Sequence, residues 1–326
     1  MQRGFRRPVE RLYARVLESE LTDVPDHVAV IQDGNRRYAK RKDVQKTKGH
    51  REGAKTTESL LNWCEDLGIE EVTLYAFSTE NFERPADEQE AIFDLITEKL
   101  HEFADSEDVH EKEVRIRAIG ELDRLPPRVR QAIAYADRRT AGYDNLHLNI
   151  ALAYGGRAEL LGAAREIASR VAAGELEPSA VNSETIETAL SDGPTQSVDL
   201  IIRSGGDERT SNFLPWQANG NEAAVYFTTP YWPEFRRIDF LRGIRTYSHR
   251  EESWRQTRIR RLRALSSVLA ECTMNRLRNL LGRTDSKSPA EESEHSGDET
   301  ASGREDTESV ESDAGEKPEK PIESPN

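Results

Sequence analysis

The chain has 326 residues, with 46 lysines and arginines against 60 aspartates and glutamates, and a formal net charge of −14. This length is enough for one large α/β domain with additional segments. Fourteen acidic and four basic residues lie between positions 285 and 326, so the remainder is nearly balanced and the overall acidity says little about its ligand.

The composition also argues against several classes of protein. Cys64 and Cys272 are far apart and have no metal-ligand spacing, which indicates a reducing compartment. No signal peptide is visible, and no apolar run approaches the roughly 20 residues needed to span a bilayer. No basic face carries interleaved aromatic residues, so nucleic acid is not an expected partner. We therefore expect a cytoplasmic protein that is at most peripheral at a membrane.

Residues 1–25 are predicted to form an N-terminal helical segment, and a short buried strand follows from His27 and ends before Asp33. After this strand come Gln32, Asp33 and Gly34, and then Asn35, Arg36, Arg37 and Tyr38 at the start of a polar helix. A strand that ends in a carboxylate before a helix is where α/β proteins often hold phosphate and a metal. The alternative is an ordinary Asp-Gly turn with surface arginines.

Further buried strands are predicted at 71–77, 114–119, 146–153, 198–203 and 223–228, with amphipathic helices between them. This alternation predicts a six-stranded, mostly parallel sheet flanked by helices. Arginine together with aspartate, asparagine or serine follows the first, second and fifth strands. Because ligands bind beyond the carboxyl ends of such strands, these three segments are expected to converge on one site.

The C-terminal quarter of the chain divides into two predicted segments. Residues 251–282 form an arginine-rich helix, which is either a solvated helix packed on the body or on a second subunit, or a basic face for an anionic membrane surface. Residues 283–326 form an acidic tail with almost no apolar residues, and we predict that it is disordered. Residues 26–250 then remain as the main α/β domain.

Several motifs point to a known family. The chain has no P-loop, no G-x-G-x-x-G after a strand, no H-E-x-x-H, no nucleophile elbow and no Asp-Asp-x-x-Asp pair. Residues 27–38, Gly49-His50, 75–85 and 199–216 instead resemble the cis-prenyltransferases, the undecaprenyl diphosphate synthase family, in order and spacing. The resemblance implies a homodimeric, Mg²⁺-dependent enzyme that extends an allylic diphosphate with isopentenyl diphosphate units through cis double bonds.

The resemblance also assigns roles to individual residues. Asp33 is implied to be a catalytic residue and a metal ligand, and Glu222 the second metal ligand. The implied contacts of the allylic diphosphate are Gly34, Asn35, Arg36, Arg37, Tyr38, Lys46 and His50. Arg203, Arg209 and Ser211 resemble the clamp that holds isopentenyl diphosphate. The other implied substrate-binding residues are Ser78, Thr79, Glu80, Phe82, Arg84 and Thr210. The family assigns Asn81 to proton removal, but a neutral amide is a poor base, so we interpret Asn81 as orienting the proton toward a diphosphate oxygen or Asp33.

This sequence departs from the family pattern at several positions. Tyr38 and Phe82 stand where tryptophan is usual, Arg36 where many members have glycine, and Lys46 where arginine is usual. The segment before the sixth strand is about two residues longer than in the common bacterial form, which weakens the assignment of Glu222. His50 has an alternative role as a neighbour of a helix N-cap, and we interpret His27 as structural.

The family also encloses its growing product in an apolar tunnel. Leu95, Ile96, Leu100 and Phe103 are the candidates for its lining, although an ordinary core would use the same residues. Residues 82–113 contain no large insertion, which favours a product of undecaprenyl-like length. The run 212–221 and the acidic tail favour the archaeal type that uses geranylgeranyl diphosphate, with a product that is a precursor of glycosyl carrier lipids.

Two alternatives to an active enzyme have different signatures. A non-catalytic partner subunit of a heteromeric enzyme would have lost Asp33 and the arginine clamps, and all of them are present. A phosphate-binding module without chemistry would not need Asn81 or a second diphosphate clamp.

Overall fold

A computed structural model describes residues 3–190, 197–218 and 222–281. Within these ranges six strands form a single sheet in the order β3-β4-β2-β1-β5-β6, and all of its pairings are parallel. The strands are β1 (His27–Ile31), β2 (Glu71–Ser78), β3 (Val114–Ile119), β4 (Leu146–Tyr154), β5 (Leu200–Arg203) and β6 (Ala224–Phe227). The predicted six-stranded α/β fold is confirmed, and the sheet is entirely parallel.

Nine helices lie in the same ranges of the chain. They are α1 (Arg3–Ser19), α2 (Asn35–Arg41), α3 (Lys46–Asp66), α4 (Ala86–Asp105), α5 (Glu107–Glu111), α6 (Pro127–Arg139), α7 (Gly156–Ala172), α8 (Ser183–Ala189) and α9 (Arg237–Leu281). A short 3₁₀ turn, Thr79–Glu83, follows β2.

The sequence pattern explains why these segments form the core. All five residues of β1 are buried, as expected for a central parallel strand that is covered on both faces. The helix α4 is amphipathic and buries Ile92, Phe93 and Leu100 against the sheet. Burial of apolar surface of this kind contributes about 25 cal/mol per Å² to folding.

The order of the strands places the functional segments next to each other. β1 lies between β2 and β5, and Ile31 is in register with Tyr75 on one side and with Arg203 on the other. The chain moves from β1 to β2 in one direction and later crosses to β5 on the opposite side of β1, which makes the carboxyl end of β1 a topological switch point. Crevices at such points are the usual ligand sites of open parallel sheets.

The chain divides into two compact units, residues 1–264 and 265–326. The first contains the whole sheet, and the described part of the second is the end of α9. The arginine-rich stretch belongs to a helix that begins at Arg237, so position 250 lies inside a continuous helix. The predicted acidic tail lies outside the described residues. Among those residues, no helix is both long and apolar enough to cross a membrane.

Candidate active site

A cavity of about 300 Å³ lies at the carboxyl ends of β1, β2 and β5. Ten of the predicted site residues line it: Asp33, Asn35, His50, Ser78, Glu80, Asn81, Arg84, Arg203, Arg209 and Ser211. The remaining wall is largely apolar and includes Leu74 and Ile150 of the sheet with Ile92, Leu95, Ile96, Leu100 and Phe103 of α4. The polar groups and the predicted tunnel residues therefore belong to one cavity.

Asp33 is the acidic centre of this cavity. Arg203 Nη2 lies 2.7 Å from Asp33 Oδ2, and Arg37 Nη2 lies 3.1 Å from Asp33 Oδ1. Burial by itself would raise the pKa of Asp33, but the hydrogen bond from Arg203 and the charges of Arg37 and Arg203 outweigh it, so the pKa lies below its usual value. Asp33 is therefore ionised at neutral pH and can accept a cation.

Arg203, at the end of β5, joins Asp33 to the loop that follows the strand. Its Nη1 donates to the carbonyl of Arg209 at 2.6 Å and to Ser211 Oγ at 2.8 Å. The side chain is only 4% exposed, so these hydrogen bonds fix it firmly. Arg209 is 66% exposed and pairs with Asp207 at 3.2 Å, which leaves it free to turn toward an anion.

A second charged cluster surrounds Glu88 on α4. Its carboxylate accepts from Lys46 at 2.8 Å and Arg84 at 3.1 Å and pairs with Arg36 at 3.2 Å. Burial would raise the pKa of Glu88, but the hydrogen bond from Lys46 and the nearby charges of Arg36 and Arg84 hold it below its usual value. Three cations on one carboxylate leave a positive cluster, which favours an anionic ligand.

His50 lies beside this cluster. Burial and the positive charge of Arg84 lower its pKa to about 4, so the imidazole is neutral at physiological pH. A neutral imidazole donates one hydrogen bond and carries no charge. A bound diphosphate would favour the protonated form and raise the pKa again.

Because of this low pKa, we expect acid to destabilise the folded protein through His50. The folded pKa of about 4 is below the value of 6.5 in the unfolded chain, so between these values only the unfolded state takes up the proton. On lowering the pH from about 7.5 to about 5, the wild type should lose about 2 kcal/mol more free energy of unfolding than His50→Gln. Urea unfolding of both proteins measures this difference. Carboxylates titrate in both, so parallel pH dependences would contradict the expectation.

Three buried polar atoms at the cavity have no hydrogen-bond partner within the described ranges: Asn35 Oδ1, His50 Nε2 and Arg203 Nε. Buried polar atoms are normally paired in folded proteins, because leaving one unpaired costs about 1–3 kcal/mol. The arginine Nε–H is a donor, and an imidazole nitrogen can be one. Arg203 Nε and His50 Nε2 can therefore donate to a ligand, whereas Asn35 Oδ1 lies against Gly53 of α3.

Asn81 is held by local backbone geometry. The 3₁₀ turn Thr79–Glu83 begins with a capping box in which the backbone N–H of Ser78 donates to Asn81 Oδ1 at 3.2 Å. Since the oxygen is occupied, the group that Asn81 offers to the cavity is its NH₂, which donates and does not accept a proton. This geometry is compatible with an orienting role and not with that of a base.

Gly34 determines the path of the chain after β1. Its φ of 100° is in the left-handed region, and an added Cβ would lie 2.7 Å from the Tyr231 ring. The same ring is stacked by the guanidinium groups of Arg37 and Arg41, at 5.4 and 4.8 Å from its centroid. A side chain at position 34 would displace this assembly, which holds Arg37 next to Asp33.

Other predicted residues lie outside the cavity lining. Tyr38 is beside Lys42, and Phe82 packs against Phe77 and Phe93 in the core. The Thr79 hydroxyl lies against Gly155, and the carbonyl of Thr210 accepts from the backbone of Phe213. Phe82 therefore has the position of a core residue.

Glu222 lies at the amino ends of the strands, whereas Asp33 lies at their carboxyl ends. It comes two residues before β6, and the first residue of β6, Ala224, is in register with Leu200 and through it with Val28. Asp33 comes five residues after Val28, so at about 3.3 Å per strand residue the two carboxylates are separated by roughly 20 Å. Glu222 lines a different cavity with Asp199 at the amino ends of the strands. The expectation that Asp33 and Glu222 share one metal is not met within a single chain.

The structure adds residues that the sequence reasoning missed. Asp207 lies 3.5 Å from both Arg37 and Arg203, and Glu88 organises the second cluster. Trp232 lines the cavity and donates to the carbonyl of Gly53 at 2.8 Å. Asp207 lies inside the run 199–216, and Glu88 follows Arg84 at an i, i+4 spacing, so both signals were present in the sequence.

The parallel sheet, the two cationic clusters and the apolar wall define a class of protein: an α/β enzyme whose site accommodates phosphorylated ligands with an apolar body. Residues 31–255 match the prenyltransferase family described as undecaprenyl diphosphate synthase. The chain belongs to this family.

The comparisons with individual proteins agree. A tritrans,polycis-undecaprenyl-diphosphate synthase (geranylgeranyl-diphosphate specific) of Haloarcula marismortui is 61% identical over 282 residues, which are 86% of this chain and 93% of that protein. A protein of the same name from Methanocaldococcus jannaschii is 46% identical over 247 residues, which are 74% of this chain and 88% of that protein.

Solved structures are similar as well. Lavandulyl diphosphate synthase from Lavandula x intermedia, in complex with dimethylallyl diphosphate, has a TM-score of 0.65 and 32% identity over 69% of this chain and 95% of its own. An undecaprenyl diphosphate synthase from Campylobacter jejuni has a TM-score of 0.56 and 34% identity over 69% of this chain and 96% of its own.

These matches confirm the predicted cis-prenyltransferase family, its archaeal branch and the predicted activity of cis-prenyl chain elongation. They give no support to the alternative of a non-catalytic partner subunit.

Proposed function

We propose that this enzyme condenses isopentenyl diphosphate units onto geranylgeranyl diphosphate and releases a polycis-polyprenyl diphosphate of undecaprenyl length, a precursor of glycosyl carrier lipids. The observation that carries the proposal is a single cavity lined by Arg203 and Arg209 of one cluster, by Arg84 and His50 at the other, and by an apolar wall that includes α4. The names of the archaeal relatives support the choice of primer and product.

The two clusters divide the two diphosphates between them. Arg36, Arg84 and His50, arranged around Glu88, face the allylic diphosphate together with Asn35. Arg203, Arg209 and Ser211 hold the isopentenyl diphosphate. Charge-assisted hydrogen bonds contribute about 1.5–3 kcal/mol each, so the arginines dominate binding of both substrates.

The residues at Asp33 fit a magnesium ion. Mg²⁺ is usually bound by one or two carboxylates together with substrate phosphates and water, and Asp33 is an ionised carboxylate placed between the two clusters. No group of three or more histidine, cysteine or acidic side chains that could hold a metal occurs in the described residues. Asp33 would hold the ion together with substrate oxygens and water. When bound, Mg²⁺ stabilises the negative charge that develops on the leaving diphosphate.

The condensation requires one bond to break, one to form and one proton to leave. The double bond of the isopentenyl unit attacks the allylic carbon, and the diphosphate departs with the electron pair of the carbon–oxygen bond. Arg36, Arg84 and His50 donate to the departing oxygens, where charge grows. The Asn81 NH₂ orients the isopentenyl unit so that its proton passes to a diphosphate oxygen or to Asp33.

The apolar wall supplies the space for the growing chain. Lining residues of α4 run from Ile92 to Phe103, a length of about 16 Å at 1.5 Å per residue. Each buried CH₂ favours this environment by about 0.8 kcal/mol, so elongation draws the chain along α4. The wall acts as a product tunnel in this proposal.

Narrowing the tunnel should shorten the product. Leu100 is 2% exposed and lines the cavity, so we expect Leu100→Trp to shift the products to shorter chains while the first condensation continues at nearly the wild-type rate. Thin-layer chromatography of radiolabelled products measures the distribution. Leu161→Trp on the exposed face of α7 is the control. An unchanged distribution in a folded Leu100 variant would refute the tunnel.

The proposed activity is tested with radiolabelled isopentenyl diphosphate, Mg²⁺ and either geranylgeranyl or farnesyl diphosphate as primer. We expect polyprenyl products with both primers, and a higher kcat/KM with geranylgeranyl diphosphate than with farnesyl diphosphate. A preference for farnesyl diphosphate would overturn the proposed primer, and the absence of product with either primer would overturn the proposed reaction.

We also propose that the enzyme is a homodimer that releases its product at a membrane surface. β6 is an edge strand with Val225 exposed, which suits a second copy of the chain. On α9, Arg255, Arg258 and Arg260 are exposed beside Trp254 and Ile259, which suits anionic lipid. A monomer in sedimentation equilibrium would contradict the proposed homodimer. An absence of binding to anionic vesicles would contradict product release at a membrane surface.

A further inference from the structure

The loop of residues 204–218 carries Arg209 and Ser211 but contains no helix or strand. Three of its non-glycine residues have left-handed backbone, namely Ser211, Asn212 and Leu214, with φ angles of 51°, 55° and 48°. Such conformations are strained for residues with a Cβ and persist only where surrounding contacts enforce them.

Aromatic rings hold the middle of the loop. Phe213 is 1% exposed and stacks on Tyr75, with centroids 4.5 Å apart and planes 4° from parallel. Tyr154, at the end of β4, meets both rings edge-on at 5.8 and 5.9 Å. Tyr75 lines the cavity, so the stack links the loop to the cavity wall.

Close backbone contact holds the same segment from the start of α7. The N–H of Gly156 donates to the carbonyl of Asn212 at 3.0 Å. A Cβ added at Gly156 would lie 2.4 Å from that carbonyl oxygen and 2.3 Å from Pro215 Cδ. Only glycine permits the loop to approach α7 this closely.

Glu159, in the first turn of α7, joins these contacts to the end of the loop. Its Oε2 accepts from the Tyr154 hydroxyl at 2.6 Å, and its Oε1 lies 3.4 Å from Gln217 Nε2. Gln217 is itself buried, and its backbone carbonyl accepts from Val198, next to β5, at 2.8 Å. Burial raises the pKa of Glu159, partly offset by the hydrogen bonds from Tyr154 and Gln217.

None of Tyr154, Glu159 and Gln217 lines the cavity, so they act on it only through the loop. We propose that Glu159 is a positioning residue that, through Tyr154 and Gln217, keeps loop 204–218 in the strained conformation that presents Arg209 and Ser211 to isopentenyl diphosphate. This inference rests on the proposed function, which assigns these two residues to that substrate.

The position of Glu159 makes its effect selective. The allylic cluster of Arg36, Lys46 and Arg84 is organised by Glu88 on α4 and does not depend on the loop. Loss of Glu159 should therefore weaken binding of isopentenyl diphosphate and leave the allylic substrate unaffected. A general loss of stability would affect both substrates.

The test compares Glu159→Ala, Glu159→Gln and the control Glu166→Ala, which removes an exposed carboxylate from the same helix. We expect Glu159→Ala to raise the KM for isopentenyl diphosphate about tenfold or more, because small displacements of binding groups have large kinetic effects. The KM for the allylic primer and the kcat should change less than about threefold, since the chemistry is not displaced.

Glu159→Gln should restore nearly wild-type values. The oxygen of the new amide can accept from Tyr154. Once the Gln217 amide turns over, the NH₂ of the new amide can donate to Gln217 Oε1, which has no hydrogen-bond partner among the described residues. If Glu159→Ala does not fold, Gln217→Ala replaces it in the comparison, with the same expectation.

An unchanged KM for isopentenyl diphosphate, or equal increases for both substrates, would overturn the positioning role. Inactivity of the wild type would instead overturn the proposed function, so the two failures are distinguishable.

Discussion

Asp33→Asn is expected to lower kcat by about a thousandfold or more, measured as incorporation of radiolabelled isopentenyl diphosphate with Mg²⁺. The substitution keeps the size of the side chain and removes its charge. Arg37 and Arg203 then keep only Asp207, at 3.5 Å from each, as a common counter-ion, and the site loses the only carboxylate that we assign to the metal. Both losses fall on the point where charge moves from the allylic carbon to the leaving diphosphate.

The control for this experiment is Glu234→Gln. Glu234 pairs with Arg41 on the same helix that carries Arg37, but it does not line the cavity. We expect its activity to stay within about threefold of wild type, as for surface ion pairs of small energy. An Asp33→Asn protein that folds normally and keeps more than about a tenth of the wild-type kcat would contradict the catalytic assignment.

The central strands could be predicted because burial on both faces gives them continuous apolar runs. β1 is such a run, and it forms the short buried strand that the sequence predicts before Asp33. The first and last residues of a strand are harder to predict. The fifth strand is predicted to begin at residue 198, and in the structure it begins at Leu200. The helix α9 was missed as a unit because its first turns are buried against the sheet while its later turns are arginine-rich, so the pattern changes within one helix.

The candidate site could be predicted where chain order and sheet geometry agree. Asp33 follows β1 and Arg203 ends β5, so both lie at the carboxyl ends of the parallel strands. Glu222 precedes β6 and therefore lies at the amino ends of the strands. The strand direction alone predicts this position, whereas the family resemblance implies that Glu222 shares a metal with Asp33.

Other properties of the site depend on tertiary contacts that no local pattern records. Glu88 reads as an ordinary polar residue of an amphipathic helix, and only packing against α2 and α3 brings Arg36 and Lys46 to it. The low pKa of His50 likewise follows from burial beside Arg84. The roles of these residues in the reaction remain predictions until the variants are measured.

Arg203→Lys is expected to raise the KM for isopentenyl diphosphate about a hundredfold. The arginine connects Asp33, the Arg209 carbonyl and Ser211 through hydrogen bonds of 2.7, 2.6 and 2.8 Å. Lysine keeps the positive charge but loses the planar fork that makes these contacts together. Without these contacts Arg209 and Ser211 are no longer held in place for the substrate, and a hundredfold loss corresponds to about 2.7 kcal/mol of binding free energy. Initial rates at varied isopentenyl diphosphate and saturating primer measure the effect.

The matched comparison is Arg209→Lys, which makes the same chemical change six residues further along the chain. Arg209 is 66% exposed, whereas Arg203 is 4% exposed and holds the loop as well as the substrate. We therefore expect Arg209→Lys to raise the KM less than about tenfold, since water and side-chain motion compensate an exposed lysine. Equal effects of the two substitutions would show that charge alone decides binding here. The burial and hydrogen bonding of Arg203 would then have no special part in recognising isopentenyl diphosphate.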